Sequence, residues 1–225
     1  GEPLVFPVTF ANTGSATGFG PFVDLVLPAT GADGAGAAID DGITFVSATY
    51  LGAPVTATVL VFDALGNATH PYARTAANVP VVVSGGTPGD QLVVLQLPFG
   101  SFTTTQPTAT LQVTTTLSTL ADANVALNIR ARGGFRYGAD ALDNPPADPS
   151  VLGAFTPNQP VTPSILRLTK TYIGPEDETA TGPNFPRQYR IDVDIPTGQT
   201  LTNVDLTDLL PNNQQFLAVV STLVN

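Results

Sequence analysis

The stretch Leu4-Val5-Phe6-Pro7-Val8-Thr9-Phe10-Ala11-Asn12-Thr13-Gly14 decides how this chain folds. Leu4, Phe6, Val8 and Phe10 alternate with Val5, Pro7 and Thr9, and a period of two puts the first set on one face of a β-strand and the second on the other. Asn12-Thr13-Gly14 then ends the run, since Asn bonds the backbone two residues on and Gly accepts turn geometry. Working outward, the same alternation predicts strands over residues 22–27, 43–50, 55–62, 79–84, 91–97, 108–117 and 124–132. Turns are expected at Gly85-Gly86, Pro88-Gly89 and Gly133-Gly134. No stretch sustains helical periodicity, and 21 Gly with 21 Pro suit many short strands joined by turns. The fold class expected is all-β, with the strand spacing of an immunoglobulin-like β-sandwich.

Composition narrows the functional classes. Net charge is −10 and only 12% of residues are charged, with 8 Lys and Arg against 18 Asp and Glu. A surface that neutralises phosphates has little to build on, so nucleic acid is not an expected partner. No apolar run reaches the roughly 20 residues of a membrane helix, so membrane insertion is not expected either. With no Cys there is no disulfide, zinc-thiolate site or thiol nucleophile. The absence of Met suggests a processed chain or a window on a longer one.

The strand signals fall into two series. Residues 1–138 read as one sandwich unit, and the proline- and aspartate-rich stretch 139–163 reads as an extended linker. Residues 164–225 read as the first half of a second unit, with strands from Ile165, over 187–195, 201–208 and 215–223. The second series echoes the first: Gly198 follows Gly14 by 184 residues and Pro211 follows Pro28 by 183. On this register the first unit lacks its opening strand and the second its closing ones. The expectation is tandem sandwiches, the second incomplete, completed by neighbouring repeat units or by copies of the same chain through strand addition.

Three short motifs carry a resemblance. Leu168-Thr169-Lys170-Thr171, Asn12-Thr13-Gly14, and Asp208-Leu209-Leu210-Pro211 followed by Gln215-Phe216-Leu217 resemble, in order, the conserved repeat of large bacterial and archaeal surface proteins known as domain of unknown function eleven. About half the chain is covered, and Leu25 stands where the pattern has Asp. The resemblance implies an extracellular or cell-surface location and a role in fibres or adhesins. Some domains similar to that family form a spontaneous Lys–Asn amide cross-link promoted by a buried acid. The resemblance would give those roles to Lys170 and Asp208, with Asn225 as an acceptor within the chain. By alternation Lys170 shares a face with Leu166, Leu168 and Tyr172, and Asp208 with Val204, Leu206 and Leu210. Both are expected to point inward and to pair. Asn128 is expected to face solvent, away from such a link.

Acidic loops suggest calcium as the one candidate cofactor. Asp140, Asp143, Asn144 and Asp148 in the linker, with Glu176, Asp177 and Glu178 after the first strand of the second unit, offer the flexible oxygen ligands that calcium prefers. Catalysis is not expected. The lone His70 sits in Asn67-Ala68-Thr69-His70-Pro71, read as an exposed turn, and three Glu offer little for a carboxylate pair. The favoured function is a structural module of a surface fibre. The alternative is an adhesin stalk or ligand-binding module; the absence of Trp and only five Tyr, spread apart, favour a stalk or fibre over a sugar-binding module.

Overall fold

A computed structural model describes residues 1–33, 41–122, 124–163, 167–174, 186–194 and 205–222. Every regular element among them is a strand. In chain order they are β1 (Glu2–Phe10), β2 (Gly18–Phe19), β3 (Pro21–Leu27), β4 (Ile43–Tyr50), β5 (Ala53–Pro54), β6 (Thr56–Val61), β7 (Asn67–Arg74) and β8 (Pro80–Ser84). There follow β9 (Gln91–Gln96), β10 (Ser101–Phe102), β11 (Ala109–Leu117), β12 (Leu127–Phe135), β13 (Val151–Leu152), β14 (Gln159–Val161), β15 (Arg167–Gly174) and β16 (Gln188–Asp194).

The alternation in the opening stretch does what the pleat requires. Val8 is buried, Leu4, Phe6 and Phe10 pack against the core, and Val5 and Thr9 face out. β1 pairs antiparallel with β11, setting Phe6 opposite Val113 and Val8 opposite Leu111. One sheet runs β1-β11-β4-β5 and the other β13-β12-β3-β9-β6, with β14 also on β12. Between them lies a core of Val23, Leu25, Ile43, Val93, Leu95 and Leu111 with their neighbours. This is a β-sandwich. The turn after β1 is an Asx turn, in which Gly14 N–H donates to Asn12 Oδ1 at 3.0 Å while Asn12 Nδ2 donates to the Phe102 carbonyl at 2.7 Å.

The central strands of the second sheet, β3 and β9, are buried on both faces. All seven residues of β3 are buried: Val23, Leu25 and Leu27 face the main core, while Phe22 and Val26 join a second cluster with Leu92, Val94, Phe62, Ala73 and Val83. Covering that outer face is the hairpin β7–β8, whose register shifts between Thr69 and Arg74, around Pro71. The sequence reading missed β7, because a polar, proline-containing segment lacks the expected alternation.

Gly133-Gly134 is not a turn but lies within β12. A Cβ at Gly133 would meet the Phe10 ring and one at Gly134 the Phe22 ring, so the glycines admit an aromatic on each face of the strand. The stretch read as a linker also departs from expectation. β13 and β14 both pair with β12, and the Gly153 and Thr156 N–H groups donate to the Gly133 and Ala131 carbonyls.

In the second series β15 and β16 pair as a hairpin, with Lys170 opposite Ile191. Ile165, Leu166, the whole of 195–204 and Leu223 lie outside the described residues. Residues 205–208 and 215–222 carry no strand. Leu206, Phe216, Leu217, Val219 and Val220 are exposed, so nothing among the described residues supplies the ladder partner and covering face that a strand needs.

Candidate functional site

The deepest polar cluster is built on Asp24, in the middle of the otherwise apolar β3. Its side chain faces outward from the main core, toward the β7–β8 hairpin, and is wholly buried. A buried carboxylate is costly unless paired, and two strands supply partners. Arg132, opposite Asp24 in the β12–β3 register, donates from Nε to Asp24 Oδ2 at 2.8 Å. His70 on β7 lies 3.0 Å from Asp24 Oδ1 through Nε2.

The ring's other nitrogen settles the tautomer. His70 Nδ1 accepts the backbone N–H groups of Tyr72 at 3.1 Å and Ala73 at 2.7 Å, so it carries a lone pair, and Nε2 carries the hydrogen donated to Asp24. Phe22 packs on the imidazole at 4.7 Å between centroids, and the Phe155 ring lies 4.4 Å from the Arg132 guanidinium carbon. Arg132 is thus largely buried in this network through Nε, while its Nη2 is buried without a hydrogen-bond partner among the described residues. His70 corrects the expectation of an exposed turn histidine, being 1% exposed.

An Asp–His pair can serve a general base, but only with a free nitrogen aimed at substrate. Here Nδ1 is taken by two backbone donors and Nε2 by Asp24. The arrangement is suited to tying β3, β7 and β12 together, with Phe155 of the 139–163 stretch closing over it. The sequence held one signal of it, a charge inside the apolar run 22–27.

Lys170 and Asp208 meet as expected across 38 residues, Nζ lying 2.8 Å from each carboxylate oxygen. They do not point into a core. Their side chains are 36% and 34% exposed, with Nζ 4.8 Å from the Tyr189 ring centre. The desolvation that the cross-linking chemistry needs is therefore not supplied here. Among the described residues Lys170 Nζ hydrogen-bonds Asp208 alone, and Asn225 lies outside them. Asn128 is exposed, as its alternation predicted.

The candidate calcium ligands are scattered. Asp140 caps its own turn by accepting the Leu142 N–H, Asp143 turns toward Arg136 at 3.9 Å, and the Asn144 carbonyl accepts the N–H groups of Ala147 and Asp148. Among the described residues no three acidic or histidine side chains gather to hold a metal ion. Glu176, Asp177 and Glu178 lie outside those residues.

Comparison with protein-family models, curated proteins and solved structures finds no match to this chain.

Proposed function

We propose that this chain is a non-catalytic structural module of a secreted or cell-surface fibre, organised as tandem immunoglobulin-like sandwiches that pack on neighbouring units or copies. The observation that carries this reading is the row of exposed apolar side chains over 205–222, in a segment with no strand partner among the described residues. Water-exposed Phe216, Leu217, Val219 and Val220 favour a covering surface, and strand addition by a neighbouring unit would provide both the ladder and the cover. The order of the three surface-repeat motifs supports the same reading, as does the use of the one histidine as an internal tie.

The sheet edges suggest where units meet. β1 is an edge strand that carries Pro3 and Pro7, which lack the N–H that an added strand would need. β6, the edge of the other sheet, is Thr-Ala-Thr-Val-Leu-Val, with no proline or charge and with Val59 and Val61 exposed. Assembly through β6 is accordingly favoured over β1. Sedimentation velocity across a concentration series, with negative-stain electron microscopy, tests this. Concentration-dependent linear assemblies, reduced in Val59→Lys, are expected. A monodisperse monomer throughout would overturn the proposal.

A further inference from the structure

A cavity of about 240 Å³ opens where β7 and β12 finish, lined by Arg74, Asn78, Arg136, Asp143 and Pro145. Two arginines lining one hollow stand out in a chain with 8 cationic residues against 18 acidic ones. Like charges repel, so the fold must hold them together. Ser150 does so. Its Oγ accepts the Arg74 N–H at 2.8 Å and donates to the Arg136 carbonyl at 2.6 Å, while its own N–H donates to the Arg74 carbonyl at 3.0 Å. Arg136 is further placed by its N–H bond to the Gly20 carbonyl and by the rings of Tyr137 and Tyr72, at 4.8 and 5.7 Å.

We propose that this hollow binds a sugar acid, a hexuronate-sized ligand carrying one carboxylate. The guanidinium of Arg74 has no hydrogen-bond or ion-pair partner among the described residues. Asp143 holds Arg136 only loosely, at 3.9 Å with both side chains about half exposed. Guanidinium forks match a planar carboxylate in geometry as well as charge. Two cations and one anion leave a single positive charge in the lining, which a monoanion balances and a dianion overshoots. The remaining lining sorts the rest of the ligand. Asn78 both donates and accepts, Asp143 accepts from hydroxyl groups, and Pro145 offers an apolar ring to a C–H face. A lone acidic side chain would fill only part of such a volume. Asn78, at φ 57° in the β7–β8 turn, donates its N–H to the Thr75 carbonyl at 2.8 Å, and Asp143 lies in the left-handed region at φ 53°.

The experiment is a titration of the 225-residue chain with glucuronate, glucose, sulfate and N-acetylglutamate, followed by calorimetry and by the Arg Nε–H resonances. Saturable binding of glucuronate that perturbs Arg74 and Arg136 is expected, with glucose and sulfate at least tenfold weaker. Arg74→Gln and Arg136→Gln should each weaken it at least tenfold. Both variants keep the Ser150 clamp, which uses backbone groups, and unchanged circular dichroism confirms their fold. Absence of saturable glucuronate binding, or wild-type affinity in both variants, overturns the proposal. Equal affinity for N-acetylglutamate overturns the sugar assignment in favour of an acidic peptide. None of these outcomes depends on whether the chain assembles.

Discussion

Replacing His70 with Ala tests whether the buried network holds the second sheet to its covering hairpin. The side chain makes three hydrogen bonds: two from backbone N–H groups into Nδ1 and one from Nε2 to a buried carboxylate. Truncation leaves the Ala73 N–H buried without a partner and leaves Asp24 held by Arg132 alone. A neutral hydrogen bond contributes about 1 kcal/mol and one to a charged group about 1.5–3 kcal/mol, and unsatisfied partners add their desolvation. The expected loss is therefore about 3–5 kcal/mol, or about 10 °C in Tm for a domain of this size. Urea denaturation followed by circular dichroism measures it from the midpoint at unchanged slope. Because His70 and Arg132 share one carboxylate, a cycle with Arg132→Met should show coupling of about 1 kcal/mol or more. A single-variant loss below about 1 kcal/mol, with additive behaviour in the cycle, would refute the reasoning.

Gly134→Ala forces a Cβ into the Phe22 ring and against the Val151 carbonyl oxygen and should destabilise by about 1–3 kcal/mol, read by the same denaturation; an unchanged midpoint would show that ring and backbone both give way freely. Lys170→Ala should cost at most about 1 kcal/mol, since the ion pair is a third exposed, and thermal melting checks this. Intact mass should equal the sequence mass, whereas a deficit of one ammonia would reveal a cross-link. Pro7→Thr restores an N–H to the free edge of β1 and should speed self-association in light scattering; an unchanged rate would mean that the proline does not guard that edge.

By itself the sequence determined the strand alternation and therefore the sandwich. A period of two commits Leu4, Phe6, Val8 and Phe10 to one face whatever they pack against, and Asn12-Thr13-Gly14 closes the strand through bonds within three residues. The pairing of Lys170 with Asp208 was legible too, although the inward alternation from which it was expected is not kept and the pair forms about a third exposed. What surrounds a residue was not legible. Asp24 sits in an apolar run because partners 46 and 108 residues away meet it there, and no local pattern in Asn67–Arg74 says that His70 is one of them. Gly133 and Gly134 look like a turn until Phe10 and Phe22 occupy the space above and below them. Arg74 and Arg136 line one hollow where Ser150 clips two strand ends together. Local periodicity is a property of neighbours along the chain, whereas burial, pairing and charge convergence depend on contacts across it, which only tertiary structure decides.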